Sequence, residues 1–181
     1  GYYIFYKQIY IESKYYLLME FNKERDTKEI SFREAWKIYE DSFPEDERRS
    51  LQQQTKLLSN DKYGFFSVKI NREVVGLIGT WNLDMYIFIE HFAIRKNLRN
   101  HGLGSKLIRD YLQTVDSIIV LETERPEASS MAERRIGFWQ RTGFVLNNYD
   151  YIQPPYSIDK SPVPLFLMTH PKKLSMEEFG K

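Results

Sequence analysis

The segment RNHGLGSKLI, residues 99–108, decides how the chain is interpreted, because two glycines and three potential cations stand directly before a helical pattern. The first turn of a helix leaves backbone N–H groups unpaired and carries a partial positive charge, which suits a phosphate. Gly102 and Gly104 let the backbone approach such a group closely. The same residues also suit a tight strand-to-helix turn that binds nothing, and the segment alone leaves both interpretations open.

Two known phosphate-binding loops are excluded by the order of residues in this segment. A dinucleotide-binding fingerprint requires a third glycine, but Leu107 occupies that position. A P-loop requires Gly-Lys followed by Ser or Thr, whereas the order here is Gly104-Ser105-Lys106. The sequence therefore argues against binding sites for NAD and for nucleoside triphosphates.

The chain before the glycine segment predicts one strand, two helices and three meandering strands. Ser31 and Glu34 have the spacing of a capping box for the first helix, which Pro44 ends. Asn71 and Arg72 separate two runs rich in β-branched and aromatic residues, as in a hairpin. The predicted elements are a strand at 19–25, helices at 31–43 and 45–58, the two hairpin strands, and a strand from about residue 85.

The chain after the segment predicts a helix, a strand, a second helix and two final strands. The run SIIVLE is apolar until its last residue, as expected of a strand covered on both faces. Gly143 stands where a helix commonly ends. The predicted elements are helices following the segment and at 127–141, the SIIVLE strand, and strands at 144–152 and 165–169.

Composition restricts the class of protein. The 181 residues suffice for one domain, and 26 Lys and Arg against 25 Asp and Glu give a net charge of only +1. We therefore expect no nucleic-acid partner and no membrane partner. The sequence contains no cysteine, which excludes thiolate zinc ligands and a cysteinyl acyl intermediate, and we expect no metal. The expected location is cytoplasmic.

Three regions are predicted along the chain. Residues 1–18 form an aromatic N-terminal extension or packing arm, which is a plausible contact for a homodimer. Residues 19–170 form the functional domain, and residues 171–181 form a C-terminal tail.

The setting of the glycine segment is more specific than the segment itself. A strand carries Glu90 and then the run 92–94, and Arg99-x-x-Gly102-x-Gly104 follows before an amphipathic helix. This arrangement resembles the GNAT superfamily of acetyl-coenzyme A dependent N-acetyltransferases. SFPEDERR, VVGLIGTW and RRIGFWQRTGF also match it, and the resemblance covers about residues 19–169. It implies an α/β single domain with a mixed sheet of six to seven strands, about four flanking helices and splayed parallel strands around the coenzyme A site.

The resemblance implies which residues bind acetyl-coenzyme A as cosubstrate. The pyrophosphate is expected on the backbone amides of the loop, to which the Arg99 side chain can add a charged contact. The pantetheine arm is expected to pair with the splayed strand, and an amide there polarises the thioester carbonyl. Trp139 is expected beside the pantetheine or in the core. The residues implied for these tasks are Phe92, Ala93, Ile94, Arg99, Asn100, His101, Gly102, Leu103, Gly104, Ser105 and Trp139.

The resemblance also implies catalytic residues. Glu90 is the expected base that removes a proton from the acceptor ammonium, with alternation placing it on the face of Phe92 and placing His91 on the other face. Many relatives use a tyrosine to protonate the leaving thiolate where this chain has Trp139. Tyr149 or Tyr151 can act as this acid instead, although a thiolate is an acceptable leaving group even without one.

The expected reaction is acetyl transfer to a primary amine, by direct attack in a ternary complex. The acceptor is an amine-bearing small molecule or protein, and the residues expected to line its pocket are Phe43, Trp81, Tyr151 and Tyr156. The alternative function is an inactive acyl-coenzyme A-binding sensor or interaction module with the same fold.

Overall fold

Seven strands form one mixed sheet in the computed structural model, which describes residues 18–153 and 163–180. Predictions about residues 1–17 and about Tyr156 lie outside the described residues. The strand order is β1-β2-β3-β4-β5-β7-β6, and this confirms the expected mixed sheet. The strands are β1 (Met19–Lys23), β2 (Tyr63–Ile70), β3 (Glu73–Asn82), β4 (Tyr86–Ile94), β5 (Ile118–Glu124), β6 (Val145–Gln153) and β7 (Val163–His170).

Helices cover both faces of this sheet. One apolar core lies between the sheet and the first two helices, and a second core lies between the sheet and the next two. A long amphipathic helix with one apolar face requires such a layered arrangement. The helices are α1 (Ile30–Ser42), α2 (Leu51–Leu57), α3 (Leu103–Leu112), α4 (Ser130–Arg141) and the four-residue α5 (Met176–Phe179). None of the described helices is long and apolar enough to span a membrane.

The pairing between β4 and β5 is parallel and short, whereas the other neighbouring strands are antiparallel. It begins at Tyr86 opposite Ile118 and reaches Phe88 opposite Val120. In the described part of the chain no further β4–β5 pair follows, although both strands continue for several residues. The two strands therefore splay apart towards their C-terminal ends, as the family resemblance implied.

The N-terminus of α1 differs from the predicted capping box. The helix begins at Ile30, one residue before Ser31, and its N-cap residue Glu29 forms no side-chain cap. The preceding turn is closed by Asp26, whose side chain accepts from the Lys28 N–H at 2.9 Å. Because the helix already begins at Ile30 after this turn, Ser31 lies inside the helix and is not at the N-cap position.

The second predicted helix is interrupted. A 3-10 turn spans Glu45–Glu47, and the α-helix α2 begins only at Leu51. Ser50 and Gln53 form a reciprocal capping box, with the Gln53 N–H 3.2 Å from Ser50 Oγ and the Ser50 N–H 2.8 Å from Gln53 Oε1. Because this capping box starts a new helix, Arg49 lies in the connection before α2 and not within a continuous helix over 45–58.

The C-terminal tail folds back onto the sheet. Leu174 is buried, and its N–H donates to the side-chain oxygen of the buried Asn147 at 2.8 Å. The hydroxyl of Tyr86 in β4 donates to the Glu178 carbonyl at 3.2 Å. The tail therefore spans the distance between β6 and the start of β4.

Candidate active site

The glycine segment forms an uncapped helix N-terminus. Gly102 is the N-cap residue of α3, with φ 75°, and no side chain caps the helix. Asn100 also has a positive φ, of 65°. The first α-helical hydrogen bond at this end runs from the Lys106 N–H to the Gly102 carbonyl at 3.1 Å. The amides of the first turn before Lys106 therefore have no acceptor within the helix, which is the arrangement that the predicted anion site requires.

The Arg99 side chain turns to protein partners. Its Nε donates to the Ile94 carbonyl at 2.8 Å, and its Nη2 donates to Ser42 Oγ at 2.7 Å. These bonds tie the loop to the end of β4 and to the last residue of α1. The backbone amides, more than the Arg99 charge, are therefore the groups that can hold an anion here.

Residues Phe92, Ala93 and Ile94 lie where β4 has diverged from β5. Their backbones pair with β3 on one side, and within the described chain the other side has no β5 partner. Such an edge can accept an extended chain of amides, as a pantetheine arm provides. Trp139 lies behind this edge, with its ring centroid 5.6 Å from that of Phe92.

The observed edge and loop fit a coenzyme A molecule. The open edge of β4 leads directly through the loop to the α3 N-terminus, so an extended arm and a pyrophosphate meet suitable groups in that order. A Cβ built on Gly104 would be in ordinary van der Waals contact, at 3.5 Å, with the side chains of Phe92, Phe138 and Ile94. His101 and Asn100 are exposed, and Leu103 is buried beneath the first turn.

A bulge in β4 corrects the predicted faces of Glu90 and His91. Across it, His91 lies opposite Gly79 and Ile89 lies opposite Thr80, so Glu90 is an additional residue. Alternation is interrupted at a bulge. The Glu90 and His91 side chains therefore both face the α1 side of the sheet, and not opposite sides.

Phe92 follows the bulge and points away from Glu90. Its ring stacks on Phe138 of α4 at 5.9 Å, so it belongs to the α3–α4 core. The prediction that Glu90 shares a face with Phe92 is therefore wrong, and the inserted residue is the reason.

Glu90 is a half-buried carboxylate surrounded by donors. Its Oε1 accepts from Nη2 of Arg49, and its Oε2 lies 3.0 Å from the Trp81 indole nitrogen and 3.4 Å from Nδ1 of His91. Burial acts to raise the pKa of Glu90, but the hydrogen bonds and charges of His91 and Arg49 outweigh it and lower the pKa to about 2. The lowered pKa means that protonating Glu90 costs about 3 kcal/mol more than protonating an ordinary glutamate.

The aromatic residues predicted for the acceptor pocket lie close to Glu90. Phe43 follows α1, and its ring is 5.0 Å from the His91 ring. The Tyr39 ring contacts both of these rings, 4.9 Å from His91 and 5.2 Å from Phe43, and the Tyr39 hydroxyl accepts a hydrogen bond from the Arg49 N–H at 3.0 Å. The structure thus brings Phe43, Trp81 and Glu90 into one region.

A second carboxylate, Glu122 of β5, lies on the α1 side of the sheet, where β4 and β5 diverge. Tyr151 of β6 donates its hydroxyl hydrogen to Glu122 Oε1 at 2.6 Å. Burial raises the pKa of Glu122, the Tyr151 hydrogen bond lowers it, and the negative charge of Glu90 raises it further, with a net upward shift. The predicted pocket residue Tyr151 therefore contacts a titratable group that sequence reasoning did not identify.

Tyr149 does not join this group. Its hydroxyl donates to the Leu174 carbonyl at 2.9 Å, and its ring packs on Phe179 at 4.8 Å. Lys173 Nζ lies 5.3 Å from the centre of the ring. These contacts place Tyr149 against the C-terminal tail, which gives no support to its predicted role as the acid for the leaving group.

Sequence reasoning missed Arg49 and Glu122. Arg49 falls within the helix predicted at 45–58, and the Ser50–Gln53 capping box was the signal that this helix is broken. Glu122 ends the run SIIVLE, and an acid at the end of an otherwise apolar strand was the signal that could have identified it.

Comparison with known proteins agrees with this geometry. The model of the Acetyltransferase (GNAT) family matches residues 31–144, more than half of the chain. A protein described as a GNAT-family acetyltransferase from Bacteroides thetaiotaomicron is 31% identical, with a TM-score of 0.80, and the match covers 88% of this chain and 90% of that one. A search of curated proteins gives no match.

More distant structures share the fold. A Bacillus subtilis acetyltransferase in complex with CoA is 14% identical, with a TM-score of 0.54 over 85% of this chain and 97% of its own. A GNAT acetyltransferase from Elizabethkingia anophelis with acetyl-CoA bound is 16% identical, with a TM-score of 0.51, and the match covers 83% of this chain and 96% of that one.

The splayed parallel strands and the uncapped helix N-terminus after them define an acetyltransferase-type α/β domain. Because the family model matches more than half of the chain and one relative is 31% identical, the chain belongs to the GNAT family of acetyltransferases. The acetyltransferase class and the use of acetyl-coenzyme A follow from this membership.

Proposed function

We propose that this chain transfers the acetyl group of acetyl-coenzyme A to a primary amine, by direct attack in a ternary complex. One observation carries the proposal. The opening between β4 and β5 adjoins an uncapped helix N-terminus at one end and a carboxylate-bearing, aromatic face on the α1 side. Two substrates can thus reach the same opening from different sides.

The cofactor-binding part of the proposal uses backbone groups. The open edge of β4 at residues 92–94 holds the extended arm, and the amides at the start of α3 hold the pyrophosphate. Trp139 and Phe138 support Phe92 from behind and keep this edge in place. A backbone N–H of the β4 edge donates to the thioester oxygen as negative charge develops there.

The acceptor part uses side chains. Phe43, Trp81 and Tyr151 provide aromatic surface, while Glu90 and Glu122 provide negative charge that attracts an ammonium group. The family resemblance assigns Glu90 as base, but its ion pair with Arg49 suits it better as a permanent negative charge. Direct attack is supported because the sequence has no cysteine that could carry the acetyl group.

The proposal is tested by incubating the chain with acetyl-coenzyme A and a panel of amines. The panel contains short peptides with free N-termini, lysine, spermidine and an aminoglycoside, and free thiol and acetylated amine are both measured. We expect at least one amine to be acetylated with stoichiometric thiol release. Tight coenzyme A binding without thiol release from any amine would contradict the proposal and favour the sensor function.

A further inference from the structure

We propose that the Arg99 side chain positions the acceptor amine, acting through Ser42 on the neighbouring Phe43, and is not a ligand of the coenzyme A phosphates. This inference rests on the proposed amine acetylation and deepens it, because it assigns a side chain of the cofactor loop to the acceptor side of the same site. It replaces the charged phosphate contact that was expected of Arg99 from the sequence.

The Arg99 guanidinium joins the end of the open β4 edge to the end of α1. Its Nε lies 2.8 Å from the carbonyl oxygen of Ile94, the last residue of β4, and its Nη2 lies 2.7 Å from Oγ of Ser42, the last residue of α1. Both nitrogens belong to one rigid planar group, so the two hydrogen bonds together restrict the distance between the two oxygens. Arg99 therefore holds the C-terminus of α1 at a defined distance from β4.

The Ser42 hydroxyl is set up to receive a donor. It donates its hydrogen to the Ile38 carbonyl, one turn earlier in α1, at 2.5 Å. A hydroxyl has one hydrogen and two acceptor lone pairs, so Ser42 can only accept from a further partner. The cationic Arg99 supplies that donor, and a charge-assisted hydrogen bond of this kind is stronger than a neutral one.

The C-terminus of α1 also attracts cations from other segments. Its last turn, residues 39–42, contains two acids and no basic residue, although a helix C-terminus carries partial negative charge. Arg48 donates to the Glu40 carbonyl at 3.1 Å, and Arg99 donates to the Ser42 hydroxyl. The end of α1 therefore accounts for the position of the Arg99 guanidinium without any coenzyme A phosphate.

Phe43 follows Ser42 directly and belongs to the proposed acceptor pocket. Its N–H donates to the Tyr39 carbonyl at 3.2 Å, and its ring lies 5.2 Å from the Tyr39 ring and 5.0 Å from the His91 ring. Because Ser42 and Phe43 are consecutive, a shift of Ser42 also moves Phe43. A displacement of about 1 Å in a group that positions a substrate can cost about 100-fold in rate. The Arg99–Ser42 bond therefore affects where the amine lies relative to the β4 edge.

The main test compares Ser42→Ala with the wild type on an amine that the wild type acetylates, at saturating acetyl-coenzyme A. We expect kcat/KM for the amine to fall about tenfold, as for the loss of a hydrogen bond to a charged group. The KM for acetyl-coenzyme A should stay within twofold. A merely structural role would lower the melting temperature without this difference between the two substrates.

Thr55→Ala is the matched control for Ser42→Ala. The Thr55 hydroxyl donates to the Leu51 carbonyl at 2.7 Å, which is the same type of bond within a helix, at an exposed position of α2. We expect both kinetic constants of Thr55→Ala to stay within twofold of the wild type. An equal loss of amine kcat/KM in Thr55→Ala and Ser42→Ala would overturn the specific role of Ser42.

Substitutions of Arg99 separate its geometry from its charge. Lysine keeps the charge, but its single ammonium group cannot reproduce the fixed pair of bonds. We expect Arg99→Lys to lower the amine kcat/KM at least as far as Ser42→Ala, and both Arg99→Lys and Arg99→Met to retain coenzyme A affinity within threefold. A tenfold loss of coenzyme A affinity in Arg99→Met, with the amine kcat/KM unchanged, would assign Arg99 to the phosphates instead.

A double-mutant cycle tests whether Arg99 and Ser42 act through one bond. If they do, adding Ser42→Ala to Arg99→Lys lowers the amine kcat/KM by no more than about twofold further, because the bond is already lost. Effects that multiply would overturn the claim that Arg99 acts through Ser42. Melting temperatures show that each variant is folded.

The outcomes separate this inference from the proposed function. If the wild type acetylates no amine, the proposed function fails and this inference fails with it. If the wild type acetylates an amine but Ser42→Ala and Arg99→Lys both stay within threefold of it, only the positioning role of Arg99 is overturned.

Discussion

The proposed cofactor edge and the proposed acceptor face of this protein consist of different kinds of groups. The cofactor edge, residues 92–105, consists mainly of backbone groups in a strand edge, a loop and a helix N-terminus. The acceptor face, formed by Arg49, Glu90, Glu122 and Tyr151, consists of side chains from four separate segments. A backbone-built site tolerates many sequences as long as the backbone keeps its path, whereas a side-chain site depends on each partner.

Arg49→Met should give the largest effect, because it removes the partner of a poorly exposed carboxylate. The Arg49 and Glu90 side chains are 22% and 13% exposed, so their pair is largely shielded from water. We expect the free energy of unfolding to fall by about 3 kcal/mol, as measured by urea denaturation. Combining Arg49→Met with Glu90→Gln should restore most of this loss.

The matched control for Arg49 is the exposed pair of Lys37 and Asp41. Its side chains are 76% and 53% exposed, and it spans one turn of α1. Lys37→Met should change the free energy of unfolding by less than about 0.5 kcal/mol. Equal effects of Lys37→Met and Arg49→Met would contradict the claim that burial makes the Arg49–Glu90 pair contribute more to stability than an exposed pair.

The loss of stability in acid should also report on the Arg49–Glu90 pair. The folded-state pKa of Glu90 is about 2, below its ordinary value of 4.5, so its contribution is complete above pH 4.5 and is lost as the pH falls towards 2. We expect the wild type to lose about 2 kcal/mol more than Glu90→Gln over this range, as measured by denaturation at each pH. Parallel curves for the two proteins would contradict the low pKa of Glu90.

Gly104→Val tests the cofactor edge. A Cβ at position 104 would already be in van der Waals contact, at 3.5 Å, with Phe92, Phe138 and Ile94, so a methyl group fits and we expect the two further carbons of valine to displace these side chains or the loop. We expect Gly104→Ala to retain coenzyme A affinity within about threefold and Gly104→Val to lose about tenfold, which corresponds to about 1.4 kcal/mol.

The exposed His101 provides the control for Gly104. His101→Ala leaves the backbone path unchanged and should alter coenzyme A affinity less than Gly104→Val, as measured by titration calorimetry. A larger loss in His101→Ala would show that a side chain, and not the amides, holds the anion.

Tyr149→Phe should give the smallest effect. It removes one hydrogen bond, from the Tyr149 hydroxyl to the Leu174 carbonyl, which is worth about 1 kcal/mol of stability. Because this contact lies against the C-terminal tail, turnover should be unchanged in a thiol-release assay. A large fall in turnover, without loss of folded protein, would restore Tyr149 as the acid for the leaving group.

The local structure of the proposed cofactor edge was predictable from the sequence. Gly102 before an amphipathic pattern, and apolar runs around Glu90, are short-range signals that specify a loop, a helix start and a buried strand. The proposed acceptor face was only partly predictable: Phe43 and Trp81 do lie close to Glu90 and His91, but the bulge at Glu90 reversed the face assigned to His91. Bulges and ion pairs such as Arg49–Glu90 depend on residues far apart in the chain, which local patterns do not specify.

The contrast between the two carboxylates is tested most directly by a ¹³C NMR titration of the glutamate side-chain carboxyls in the folded protein, with Glu90→Gln and Glu122→Gln used to assign the signals. We predict that Glu90 remains ionised until the pH approaches about 2, while Glu122 takes up its proton at a pH above the ordinary glutamate value. A Glu122 signal that titrates below that of Glu90 would contradict the different electrostatic environments of the two carboxylates.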